Sequence, residues 1–120
     1  VKRVNDIKEK TRDFVKGEIT KGKKIHAYGA STKGNTLLQF FDLRHPTITM
    51  AADRNPDKWW LRTVGTSIPI VSEDVSRVEA DYFLILPWHF LKEFQEREKD
   101  FLKKGGKFIV PLPEFKIIGY

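Results

Sequence analysis

The 120 residues predict an α/β fold built on a mainly parallel sheet, and three features carry that expectation. The run Ile25-His26-Ala27-Tyr28 leads into the small turn Gly29-Ala30-Ser31-Thr32-Lys33-Gly34 and then an amphipathic segment, the strand, turn and helix that open a nucleotide-binding unit. Apolar segments begin near residues 24, 47, 81 and 107 and alternate with helical patterns, as parallel strands joined by right-handed crossover helices require. Tyr82-Phe83-Leu84-Ile85-Leu86 is an unbroken apolar run, which suits a strand buried on both faces. Together these features specify a Rossmann-like three-layer sandwich with about five strands.

Each element follows from local chemistry. Val4, Ile7, Thr11, Phe14, Val15 and Glu18 recur at helical spacing, with Lys8, Lys10, Arg12 and Lys16 largely on the other face, so a helix is expected from about Asn5 to Glu18. Gly22 ends it, and residues 1–23 read as an N-terminal amphipathic helix and basic linker ahead of a domain over 24–120. Lys24 to Tyr28 is the first strand, Leu37, Leu38, Phe40 and Phe41 belong to the next helix, and Thr47 to Asp53 is the second strand. Arg54-Asn55-Pro56-Asp57 is turn chemistry. After the Gly65-Thr66-Ser67 loop, Ile68-Pro69-Ile70-Val71 can form only a short or edge strand, because proline cannot donate, and Ser72 is placed to cap a short helix through Val78. Phe90, Leu91, Phe94, Phe101 and Leu102 form a helical stripe ended by Gly105-Gly106. Lys107 to Val110 is the last clear strand, and Phe115 to Ile118 is a candidate for another.

Composition narrows the function. Hydrophobic residues make up 40% and aromatics 12%, which excludes a disordered tail, and no apolar run approaches the roughly 20 residues of a membrane helix. There is no cysteine and only three scattered histidines, so no metal site is expected, and a cytoplasmic location is allowed. No signal peptide is visible. The chain starts at Val1 and has its single methionine at Met50, which points to a piece of a longer protein. Of the net charge of +6, residues 1–24 carry +5, so the excess belongs to one solvated helix face; nucleic-acid binding is not expected.

Ligands of open α/β sheets sit outside the carboxyl ends of the strands. The first strand delivers Tyr28, Gly29, Ser31, Thr32, Lys33, Gly34 and Asn35 there. Asn35-Thr36 follow the second glycine where a P-loop needs Lys and then Ser or Thr, so an ATPase is not indicated. Ser31 occupies the second glycine's place in a dinucleotide fingerprint. The turn nonetheless offers N–H groups, hydroxyls and Lys33 at a helix start, a setting for an anion. Asp53 ends the second strand, where it either accepts from a ribose diol or caps the following turn. Trp88 and His89 end the buried strand, with His89 either a ligand contact or a helix-start side chain. Glu114, after the last clear strand, is a weaker candidate contact. Trp59 and Trp60 are adjacent, so at least one is expected on the surface unless a partner covers it.

Five blocks in order, Tyr28 to Leu38, Asp53 to Lys58, Gly65 to Ile70, Leu84 to Trp88 and Gly105 to Pro111, resemble the C-terminal domain of the SAM-dependent sugar C-methyltransferases that act on nucleotide-linked deoxysugars. The resemblance covers nearly all of the chain from Lys24 onward. It implies a Rossmann-like domain that packs on a central methyltransferase domain of the same polypeptide and helps enclose the nucleotide-linked sugar. It also implies that SAM (S-adenosylmethionine) and the catalytic bases belong to that central domain, so no cofactor and no catalytic residue are expected in this segment. Trp59-Trp60 and Val64 depart from the family pattern within one loop. An alternative reading is a stand-alone nucleotide-binding or regulatory module; a third is a purely structural packing domain.

Overall fold

Six strands form one sheet: Ile25–Tyr28 (β1), Met50–Asp53 (β2), Ile70–Ser72 (β3), Tyr82–Leu84 (β4), Lys107–Val110 (β5) and Lys116–Ile118 (β6). A computed structural model describes residues 2–120; Val1, counted in the expected 1–23 segment, lies outside the described residues. The strand order is β3-β2-β1-β4-β5-β6, with every pair parallel except β5 and β6. The sheet is therefore one strand larger than expected: the chain turns back at Pro111-Leu112-Pro113 and adds β6 antiparallel along the edge. Pro69 sits just before edge strand β3, where its missing N–H costs no ladder bond. The second strand starts at Met50 rather than Thr47, because residues 45–47 turn around Pro46 and only then feed the sheet.

Alternation along β1 splits the interior in two. Ile25 and Ala27 pack on one face with Ile7 and Val15 of helix α1 (Lys2–Thr20) and Leu38 of α2 (Thr32–Phe40). Tyr28 packs on the other with Phe83 and Phe108 of the sheet, Phe94 of α4 (Leu91–Arg97) and Phe101 of α5 (Lys99–Lys103). Helix α3 (Glu73–Glu79) lies on that second face, where Ser76 meets His26. Ser72 caps α3 by accepting from the Val75 N–H at 3.1 Å. The predicted stripe from Phe90 to Leu102 is two helices, because the chain bends at Glu98 between them. Among the described residues no helix is long and apolar enough to cross a membrane.

Helix α1 is bound into this arrangement. Phe14 stands edge-on to Tyr82 at 5.5 Å between ring centroids, and the Tyr82 hydroxyl donates to Glu18 at 2.5 Å. Burial, helped by Glu18, pushes the Tyr82 phenol up to about 12, while the bond from Tyr82 draws the Glu18 carboxyl below its usual range.

His26 is fully buried in β1, with Nδ1 at 2.6 Å from Ser76 Oγ and Nε2 without a partner. Burial pushes its pKa down to about 4 from 6.5. The unfolded chain therefore takes up this proton near pH 6.5 and the folded chain only near pH 4, so the stability from neutral His26 is complete above the first value and lost as pH falls through the second. Unfolding measured across that window should show the parent losing up to about 1.4 kcal/mol per pH unit more than His26→Asn. Parallel slopes for the two proteins would show that His26 does not titrate in this way.

Candidate functional site

The carboxyl ends of β1, β2 and β4 converge because the chain leaves β1 toward β2 and β3, then crosses back to lay β4 on the other side of β1. Outside this reversal of strand order lies a cavity of about 460 Å³. Its entrance is shaped by Gly29, which has φ +96° and donates its N–H to Ala52 O at 2.6 Å. A left-handed residue is needed there to swing the chain out of β1 and into α2, and glycine takes that conformation without a Cβ clash.

Asp53, the last residue of β2, fastens two turns. One carboxylate oxygen accepts from Ala30 N at 2.9 Å and the other from Asn55 N at 2.8 Å, while Lys58 Nζ lies 3.8 Å away. Asp53 is thus the turn cap, and each oxygen still has a lone pair for a ligand donor. Its backbone carbonyl also accepts from Trp59 Nε1 at 2.8 Å. At the start of α2, Ser31 Oγ accepts from Gly34 N at 3.0 Å, so the hydroxyl proton is left to donate. The first helical residues, Thr32 and Lys33, have no intrahelical acceptor for their N–H groups, which favours an anion.

Tyr28, Gly29, Ser31, Lys33, Gly34, Asp53, Trp88 and His89 all border the cavity, so eight of the ten sequence candidates come together. Thr32 and Asn35 do not. The Thr32 side chain is exposed, and Asn35 instead clamps the 62–69 hairpin, donating to Val64 O at 2.7 Å and accepting from Thr66 Oγ1 at 2.6 Å. Glu114 is exposed on the turn between β5 and β6, away from this cavity. The Trp88 and His89 rings lie tilted by 31° with centroids 3.8 Å apart. Ser31 makes no bond to a histidine or carboxylate among the described residues.

Sequence reasoning missed the charged network of Glu73, Arg77, Arg97 and Glu98, of which Glu73 and Arg97 line the cavity. Glu98 is buried at the bend between α4 and α5, where it receives Arg77 Nε at 2.6 Å, Arg77 Nη2 at 2.7 Å and the Tyr28 hydroxyl at 2.8 Å. Burial raises the Tyr28 pKa well above the usual phenol range and Glu98 raises it further, so Tyr28 is a neutral donor to Glu98. The Glu98 carboxylate likewise raises Arg77. Arg97 Nη1 reaches the Tyr28 oxygen at 3.3 Å and Glu73 at 3.4 Å. The only sequence signal for this network is four charges at helix ends, which read equally as solvated.

A family model described as the C-methyltransferase C-terminal domain matches residues 1–113. The C-methyltransferase NovU of Streptomyces niveus is 38% identical over 113 residues, which cover 93% of this chain and 27% of that relative. The chain thus spans about a quarter of the length of the relative it matches.

Asp53→Asn replaces one acceptor by an NH2 group facing a backbone N–H, and should cost about 1–3 kcal/mol of unfolding free energy, with amide shifts at Ala30 and Asn55. Glu98→Gln should cost about 2 kcal/mol and perturb Tyr28 and Arg77 instead. Wild-type stability in both variants, read by denaturant melts, would show that neither carboxylate holds the site together.

Proposed function

Because the chain belongs to the family of C-methyltransferase C-terminal domains, we propose that it is the substrate-side module of a SAM-dependent sugar C-methyltransferase and helps bind or enclose a nucleotide-linked sugar. The observation that carries this reading is the cavity at the reversal of strand order, with Lys33 and the α2 N-terminus to meet phosphate and the Trp88 indole to pack on a ring. The strand order is that of Rossmann domains, with β6 as an antiparallel addition, which supports a Rossmann-like domain over 24–120 preceded by the helix and linker of 1–23. In this reading Tyr28, Gly29, Ser31, Lys33, Gly34, Asp53, Trp88 and His89 contact the substrate. Thr32 adds its backbone N–H, and Asn35 acts through the hairpin that it clamps.

The β1 turn does not fit SAM. Ser31 caps the helix where a second glycine would admit close approach, and SAM has no phosphate for Lys33 to meet. We assign SAM and the catalytic bases to the remainder of a longer polypeptide in the cytoplasm, and that remainder is the partner of this segment. Trp60, Leu61 and Val64 are 76, 57 and 80% exposed on the loop and hairpin after β2, while Trp59 is half-buried. Val64 O is held by Asn35 and Gln39, so the hairpin offers this apolar group from a fixed base, as a docking face requires.

Calorimetry on the 120-residue chain should detect UDP-glucose and no SAM; micromolar SAM affinity would overturn the assignment. Lys33→Ala should weaken UDP-glucose by about 1 kcal/mol or less and reduce the salt dependence, since an exposed charge is screened. Gly34→Val should abolish binding, because a Cβ there stands 3.1 Å from Ser31 Oγ and the β-branched side chain disturbs the cap at the start of α2. Parental affinity in folded Gly34→Val would favour a purely structural turn. With Trp60 as the sole tryptophan, iodide should quench the fluorescence in this segment, and a longer chain carrying the methyltransferase portion should protect it; quenching in both would place the docking face elsewhere.

A further inference from the structure

Glu73, the first residue of α3, brings a carboxylate to the cavity from the sheet face opposite α2. Its Oε1 accepts from Arg77 Nη2 at 3.1 Å, but Oε2 has only Arg97 Nη1 at 3.4 Å, beyond the usual range for a strong hydrogen bond. Neither arginine is free to close that gap. Arg77 is committed to Glu98 and Asp74, and Arg97 Nη1 also serves the Tyr28 oxygen. The Glu73 side chain is 14% exposed and lines the cavity. The cavity is also polarised. Among the lining residues Lys33 and Arg54 outnumber Asp53 at the β1 and β2 turns, whereas on the α3 and α4 side Glu73 is matched by Arg97 alone. An anionic group is favoured at the first end and a hydrogen-bond donor at the second.

We propose that Glu73 determines specificity by accepting, through Oε2, a hydrogen bond from a hydroxyl or amino group of the ligand, while the ligand's phosphate lies at the β1 turn. This inference rests on the substrate-binding reading above. A carboxylate in such a place disfavours an analogue that lacks the donor, because bound ligand then shields Oε2 from water with only the long Arg97 contact left to it.

The donor comes either from the ribose or from the linked sugar, and three probes separate these sources on the full 120-residue chain: pyrophosphate, UDP and UDP-glucose. Glu73→Gln should leave pyrophosphate affinity within about twofold and weaken the donor-bearing probe about tenfold. A loss already seen with UDP identifies the ribose; a loss seen only with UDP-glucose identifies the sugar. In the parent, the Glu73 side-chain carboxyl carbon should shift on adding that same probe and not on adding pyrophosphate, a readout that does not depend on a variant folding. An equal change for all three probes, or no change for any, overturns the role of Glu73. If the parent binds none of them, the substrate-binding reading itself fails.

Discussion

Everything at the cavity depends on the Asp53 carboxylate accepting one backbone N–H from each of two turns. The parallel register of β1 and β2 sets Tyr28 beside Ala52, so the next residue of β2 falls level with the turn that leaves β1. A side chain as short as aspartate then spans the gap to Ala30, and its second oxygen closes the turn at Asn55. Charge-assisted bonds of this kind are short and directional, and they fix turns that would otherwise be the loosest part of the molecule. Lys58 and Trp59 gather around the same residue, so the turn after β2 is folded against the turn after β1. The start of α2 is aimed across the cavity as a consequence.

A second constraint works from below. Glu98 is a buried carboxylate, and burial of such a group is tolerated only with full compensation. Arg77 and Tyr28 supply it, joining α3, β1 and the α4–α5 bend at one point. The helical stripe breaks there because the backbone must bring the carboxylate inward. The same network orients Tyr28 toward Glu98 and leaves Arg97 with long contacts at the cavity wall. The cavity wall and core packing are therefore coupled through one phenol.

The parts of this structure legible in the sequence are those written in local chemistry. Gly29 announces a turn, Ser72 announces a helix cap, and the apolar run from Tyr82 to Leu86 holds the buried strand, which ends at Leu84. The five ordered blocks pointed to the family that the comparison found. What escaped detection depends on distant residues meeting. Glu73 and Glu98 are 25 positions apart, and nothing local distinguishes them from solvated helix charges until Arg77 bridges them. Asn35 looks like a member of the glycine turn, yet its amide faces the helix side and meets a hairpin 29 residues away. Trp60 has φ 71°, which no propensity favours for an indole and which the surrounding loop imposes. Strand β6 lies within the Phe115 to Ile118 candidate, but with three residues and an exposed first one it is too short to show the alternation that would have counted it among the expected strands.

The central claim is that ligand enters where β1, β2 and β4 end. Amide chemical shifts of the 120-residue chain, followed while UDP-glucose is added, test it most directly. The account predicts that the largest changes fall together in residues 28–34, 53–54 and 86–90, the three strand ends around the cavity. Changes confined to residues 60–65 of the exposed loop or to α1 would contradict it and make this segment a packing module rather than a binding one.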